Sequence, residues 1–366
     1  MSDRPPQPAK QYETFQHLLF LAETLYTVIL LVVFLVSGAS ARLATFVSHP
    51  WLATTIYAAA GIIGMKLAFL PLNWLGGFFL EHRYKLSNQT VGAWLWDEVK
   101  SLGLSLVLGV TVFDLMYWLL RVMGPWWWVA VGCFFLLFGV VLSALFPVLI
   151  LPIFYKLKPL ENESLTRKLS ELAGRVGIKI VGVYRMGMSE KTRKANAAFA
   201  GLGATKRIIL GDTLLEGFAE DEIEVVMAHE MAHYLHRDIW RLIGWSALTI
   251  FAGLWLTDAA LRWLLPSFGF HAASELAAFP LLALCLFAFG LVTMPLNNAF
   301  SRWRERLADR TALELTRNPD GFIRAMRKLA EQNLADVSPH PLIEFLLHDH
   351  PSLARRISWA EQWQPG

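Results

Sequence analysis

Residues 127–150 read WWVAVGCFFLLFGVVLSALFPVLI, with no acidic, basic or histidine side chain among them. A hydrocarbon core about 30 Å thick is crossed by about 20 apolar helical residues, so this run is long enough to span it. Working outward, five more runs qualify, at 18–36, 51–75, 101–120, 242–261 and 276–296. The expected fold is therefore mainly α, a polytopic α-helical membrane protein with about six transmembrane helices. The second run continues to Leu80, which predicts tilt or protrusion beyond the lipid. Pro71, Pro147, Pro280 and Pro295 lie within or at the ends of spans, where neighbouring helices re-satisfy the backbone. Trp126, Trp127 and Trp128 cluster at a span boundary, as an interfacial aromatic belt requires.

Composition supports the same class. Of 366 residues, 55% are apolar and 17% charged, against about 25% charged in soluble domains; the mean hydropathy is +0.42. A water-soluble globule could not hide that much apolar surface, and disorder, collagen-like repeats and coiled coil are excluded by the same numbers. The net charge of +3 is small and dispersed, so no nucleic-acid partner is expected. Cys133 and Cys285 lie far apart in apolar runs and form neither a disulfide framework nor a metal knuckle. They are expected to be small buried side chains.

Lys and Arg counts set the orientation. Arg4, Lys10, Arg83, Lys85, the basic 152–238 region and the Arg-rich tail after 297 belong to one side; the other holds little beyond Arg42, Arg121 and Arg262. Both termini and the hydrophilic segments are thus expected in the cytoplasm, with the chain multi-pass in the cell (inner) membrane if the source is bacterial. Ala39-Ser40-Ala41 resembles a signal-peptidase site, whose cleavage would delete the first span without inverting the others. Glu23, Lys66, Asp114 and Asp258 lie inside spans, where charges line cavities or snorkel. By rise per residue, Lys66 and Asp114 sit in opposite halves, so a direct pair between them is not the obvious solution.

Two hydrophilic stretches remain, 152–238 and 297–366. Leu165, Leu169, Leu172 and Val176 mark an amphipathic helix over 161–176. Residues 178–185 read as a strand, and 197–210 as two strands joined by a glycine-containing turn. A helix is expected over 219–237, opened by Glu220, Asp221 and Glu222, and another over 298–317, ending before Asn318-Pro319. Together they predict a small α+β cap assembled from both sides of two membrane spans.

The chemistry centres on His229-Glu230-Met231-Ala232-His233. Residues four apart share a helix face, so two imidazoles at this spacing can bind one tetrahedral zinc. Glu230, rotated about 100° from His229, is free to act as general base on a water. The apolar flank Ile223, Val225, Val226 and Met227 makes an unpaired cluster there expensive. A third protein ligand is needed, from His236, Asp238, Glu305 or Asp309. His236 and Asp238 do not rotate easily onto the same metal. Glu305 suits better, with Asp309 one turn later able to hold a ligand imidazole's tautomer. Surface salt bridging with the neighbouring arginines remains an alternative for both acids.

Further blocks carry a resemblance. Asn196-Ala197 followed by Arg207-Ile208-Ile209-Leu210-Gly211-Asp212-Thr213-Leu214-Leu215, Ser301-Arg302 with Glu305 and Ala308-Asp309, and His350-Pro351 with Arg356-Ile357 are similar to segments of the M48 integral-membrane zinc metalloproteases. So are Glu81-His82-Arg83-Tyr84 with Asn88-Gln89-Thr90, and Pro152 with Lys158-Pro159-Leu160. The chain most resembles the CAAX prenyl protease type 1 (Ste24-like) group, from about residue 70 to the end. That resemblance implies one Zn2+ per chain held by His229, His233 and Glu305, with Glu230 as base and Asp309 behind the ligands. It implies His350 beside the scissile carbonyl as oxyanion donor and Arg356 orienting that segment or the carboxylate. It also implies an edge at Asn196 and Ala197 for an extended peptide. Read from the residues alone, the better reading of His350 is a polar helix cap beside Pro351, and of Asn196 a simple turn residue.

The implied layout is residues 1–151 as four transmembrane helices, 152–238 as the first part of a small cytoplasmic α+β zinc metalloprotease (gluzincin-like) domain, 239–296 as two more spans, and 297–366 as its second part. Typical eukaryotic members have seven spans; six are counted here. The expected function is a membrane-embedded zinc endopeptidase for membrane-associated or C-terminally lipidated (CAAX-type) substrates, with the lipid bilayer as its other partner. The alternatives are quality control of misfolded membrane proteins, a zinc-binding transporter, whose site would favour the midplane, and an inactive scaffold, which would need no Glu230. Oligomeric state is not legible in the sequence.

Overall fold

The computed structural model describes residues 7–201 and 206–365. Among these described residues, six helical stretches are long and apolar enough to cross a membrane: Pro8–Val36, Pro50–Arg83, Val91–Val122, Gly124–Phe154, Asp238–Phe268 and Leu276–Thr316. Each of the six apolar runs read from the sequence lies inside one of them. Arg4, used in the orientation argument, falls outside the described residues.

The chain opens with α1 (Gln7–Val36) and the short α2 (Ala39–Ala44). The Ala39-Ser40-Ala41 motif lies in α2, with Ser40 buried and its hydroxyl 2.7 Å from that of Tyr57. Next, α3 (Pro50–Trp74) runs through a π-helical stretch, Leu75–Leu80, into α4 (Glu81–Arg83), which accounts for the overlong second run. After α5 (Val91–Val122), α6 (Trp127–Leu145) continues through a second π-helical stretch, Phe146–Ile150, into α7 (Leu151–Phe154). Pro147 sits in that stretch, where the N–H it lacks would otherwise close an α-helical bond.

Tyr57, Tyr117, Trp127, Val131, Leu254, Leu261 and Leu282 form the core between the spans. Of the three tryptophans at the boundary, Trp126 is exposed but Trp127 is buried, its indole N–H donating to Asp258 Oδ1 at 2.7 Å. The expectation for the cysteines needs correction: Cys133 is exposed and Cys285 half-buried. Inside a span the outward face meets lipid rather than water, so an apolar side chain has no reason to turn inward. Three of the four intramembrane charges have separate partners. Lys66 pairs with Glu98 at 2.6 Å, Asp114 accepts from the Thr55 hydroxyl at 2.7 Å, and Asp258 is paired with Arg262.

The water-facing part follows as β1 (Leu157–Pro159), α8 (Glu163–Arg175), β2 (Val183–Met186), β3 (Ala197–Ala200), β4 (Arg207–Gly211), α9 (Asp212–Gly217) and α10 (Glu220–Leu235). It resumes after α11 (Asp238–Leu264) and α12 (Phe279–Thr316) as α13 (Pro319–Asn333), α14 (Pro341–Leu347) and α15 (Leu353–Glu361). The strands pair in the order β1-β2-β4-β3, with β2 and β4 parallel and the outer pairs antiparallel. The strand expected over 178–185 is realised only from Val183, which faces Ile208 near the start of β4; a strand exists only where a partner meets it. The turn expected between β3 and β4 lies in 202–205, outside the described residues.

One apolar core joins the two halves of this part across the intervening spans. Leu165, Leu169 and Leu172 of α8, Ile208 and Leu210 of β4, and Met227 and Ala228 of α10 share it with Ala312, Phe322 and Ala360. The helix expected over 298–317 is not separate. It is the last part of α12, which stays helical through Pro295 and carries its polar end out of the apolar span into this core. At the other end of the molecule's sequence, Lys194 Nζ reaches both Glu81 Oε1 and the Tyr12 hydroxyl at 2.9 Å, fastening α1 and α4 to the domain.

Candidate metal centre

The helix α10 forms for local reasons: Glu220, Asp221 and Glu222 occupy its positive end, and the Glu222 carboxylate accepts the Ala219 N–H at 2.8 Å. Ile223, Val225, Met227, Ala228, Met231 and Ala232 bury it in the core. His229 is buried and His233 half-buried, their ring centroids 4.9 Å apart at 89°. The helix ends at His236, and Arg237 takes a left-handed conformation (φ 52°) that turns the chain into α11.

Glu305 arrives from α12. Its Oε2 lies 3.1 Å from His229 Nε2, and its Oε1 lies 3.3 Å from His233 Nε2. One donor atom from each of the three residues lies within 4.8 Å of the other two. Each histidine's far nitrogen is already committed: His229 Nδ1 is 2.9 Å from Asp309 Oδ1, and His233 Nδ1 is 2.9 Å from Asp238 Oδ2. Each of those carboxylates is in turn held by an arginine. Arg356 donates to both oxygens of Asp309, at 2.9 and 2.6 Å, and Arg304 Nε donates to Asp238 Oδ1 at 2.7 Å.

This arrangement fits a metal. With Nδ1 protonated toward a carboxylate, each neutral ring points a lone pair from Nε2 at the lone pairs of Glu305. Glu305 Oε2 is buried and makes no hydrogen bond despite its neighbours. Two donors about 2.0–2.1 Å from a tetrahedral zinc lie about 3.3 Å apart, the spacing these atoms already have. The field also asks for a cation. Burial pulls His229 down, but the neighbouring carboxylates of Asp309 and Glu305 outweigh it and raise the pKa. Burial opposes the shift at His233 too, and Asp238 and Glu305 push it up to about 10. A metal held by these residues would take the place of those protons.

His350 Nε2 stands 3.4 Å from Glu305 Oε2, and His350 is half-exposed, with Nδ1 2.8 Å from Asp349 Oδ1. The Asp349 bond raises its pKa against burial. Glu230 is half-buried beside His229, and its charge is felt by both His233 and Arg356. Asn196 and Ala197 look to the sheet instead: the Asn196 carbonyl accepts the Gly211 N–H at 2.9 Å, and Ala197 pairs with Leu210. Their strand packs on the motif helix through Phe199 and Tyr234, whose rings are 6.1 Å apart. His236 turns away to the Thr311 hydroxyl, at 2.8 Å. Sequence reasoning missed three residues here. Asp238 was weighed only as a ligand, yet it holds His233; its signal was an acid just past the motif helix. Arg304 and Asp349 had no signal beyond adjacency to Glu305 and His350.

The sequence matches peptidase family M48 over residues 159–364. The chain belongs to that family. Residues 3–156 match the CAAX prenyl protease N-terminal region, described as five membrane helices; among the described residues four candidate spans lie in this region. The protein is thus a membrane metalloprotease of the CAAX prenyl protease type. It is 32% identical over 97% of its length to a Bacillus subtilis protein called uncharacterized metalloprotease YhfN, covering 85% of that protein. It is 29% identical to CAAX prenyl protease 1 of Saccharomyces cerevisiae over 80% of this chain and 68% of that one. The crystal structure of S. mikatae Ste24p superposes with a TM-score of 0.84 at 24% identity, covering 97% of this protease and 87% of that chain, which supports the fold. Membership of a metalloprotease family implies a metal, typically zinc.

Proposed function

We propose that this protease is a zinc endopeptidase that cleaves membrane-associated or C-terminally lipidated (CAAX-type) chains, with His229, His233 and Glu305 as the ligands of one Zn2+. The observation that carries the reading is the convergence of those three donor sets around the unbonded Glu305 Oε2. When bound, zinc polarises a peptide carbonyl and lowers the pKa of an adjacent water toward about 7.

The chain's own residues do the rest. Glu230 takes the water's proton and passes it to the leaving amine. Asp309 and Asp238 keep the Nδ1 protons of the two histidines, so that Nε2 faces inward. His350, charged through its bond to Asp349, donates to the developing oxyanion. Among the described residues strand β3 ends the sheet, with one edge not paired by β4, and an extended substrate adds there beside Asn196 and Ala197. Arg356 acts indirectly, by fixing Asp309. The Lys and Arg distribution supports a cytoplasmic site in a multi-pass membrane protein.

The test is Glu230→Gln in purified protein. Zinc should stay near one per chain while peptide cleavage falls about 10²- to 10⁴-fold; unchanged cleavage removes Glu230 from the reaction. Offering a farnesylated tail beside an unlipidated misfolded membrane segment separates the CAAX reading from quality control.

A further inference from the structure

We infer a second divalent-metal site, made by Glu13, His17 and His348, three residues outside the proposed zinc ligand set. The three residues bring one donor atom each within 4.8 Å of the others. Glu13 and His17 are one turn apart on α1 and so share a face, while His348 comes from 331 residues further along, just after α14. The two Nε2 atoms lie 3.4 Å apart, with ring centroids at 5.6 Å. That is the separation of two donors about 2.0–2.1 Å from one tetrahedral zinc.

The surroundings are built for a fixed ligand set. The Asp336 N–H donates to Glu13 Oε1 at 3.0 Å, leaving the other carboxylate oxygen for a cation. The chain leading to His348 is pinned from α12: Arg302 Nη1 donates to the carbonyls of Glu344 and His348, at 2.9 and 2.5 Å, and Asn298 to that of Leu346 at 2.7 Å. All three candidate ligands are partly buried, which spares them full competition from water. Two imidazoles and a carboxylate select the zinc class of ions over magnesium or calcium. A metal here ties the start of α1 to the segment that reaches His350 two residues later, so the site is placed to steady that segment.

The test counts metal. The full-length protein is stripped with a chelator, titrated with Zn2+ and desalted. The wild type should hold two equivalents, His17→Ala and His348→Ala one each, and the His17→Ala/Glu305→Ala double variant none. A large excess of Mg2+ should leave the count at two. A His17→Ala count equal to that of the wild type, or loss to Mg2+, overturns the inference. The wild-type count does not depend on any variant folding, and His17→Gln with a monodisperse elution profile guards the variant arm. Failure of the zinc-centre reading shows differently, as a Glu305→Ala protein that keeps its full count.

Discussion

His233 Nδ1 donates to Asp238 Oδ2 across 2.9 Å, although Asp238 lies beyond the end of the helix that carries His233. The bond mirrors His229 with Asp309 at the same distance, so both imidazoles of the motif are oriented by an arginine-held carboxylate. Asp238→Ala removes one of these supports without touching a donor to the metal. Zinc affinity should fall about 10- to 100-fold, read by competition with a chromophoric chelator. An unchanged affinity would show that the ring is held by packing alone.

Among the described residues, Glu305 is the one carboxylate within 3.3 Å of both histidines' inward nitrogens. Glu305→Ala should therefore release the catalytic zinc and abolish cleavage. In the wild type, a chelator should do the same and added Zn2+ should restore activity. Retention of the catalytic zinc by the variant would mean that another acid completes the site.

Cleavage should also depend on the charge of His350. Its pKa is raised above the ordinary value of about 6.5, first by the bond to Asp349. The charged ring persists below that raised value, so activity should decline as pH climbs through it. Asp349→Asn weakens the cause and should shift the alkaline fall of kcat/KM to lower pH. A profile identical to the wild type's would dissociate His350 from the reaction.

Asp212 is a structural counterpart. Its buried carboxylate accepts from the backbone N–H groups of Met188, Ser189 and Thr213 at 2.8, 2.9 and 3.0 Å, and from the Ser189 hydroxyl at 2.7 Å. Burial alone would raise its pKa, but these donors prevail and lower it. Its contribution is thus complete above the unfolded value of about 3.9 and disappears as pH drops through the folded value. In Asp212→Ala each buried donor left unpaired costs about 1–3 kcal/mol. The thermal midpoint near neutral pH should fall by several degrees, and the variant should lose less than the wild type on acidification. An equal acid sensitivity would place the carboxylate's role elsewhere.

The six spans and the His229–His233 pair were legible because their causes are local: a bilayer thickness sets the length of an apolar run, and 3.6 residues per turn sets which side chains share a face. The buried face of α8 follows from the same periodicity, with Leu165, Leu169 and Leu172 all inward. A strand such as β2 was only half legible, since its extent depends on where β4 begins to pair with it.

What the linear order could not supply is how Glu305 reaches the motif and what aims the imidazoles. The sequence favoured Glu305 among four candidate ligands, but only α12, unbroken from the apolar span into the domain, brings its carboxylate to α10. Asp238 became the partner of His233 only through the left-handed turn at Arg237, and Asp309 met Arg356 across 47 residues. Chain connectivity constrains neighbours within a turn or two; contacts between distant segments are chosen by burial and by the demand that every buried charge find a partner.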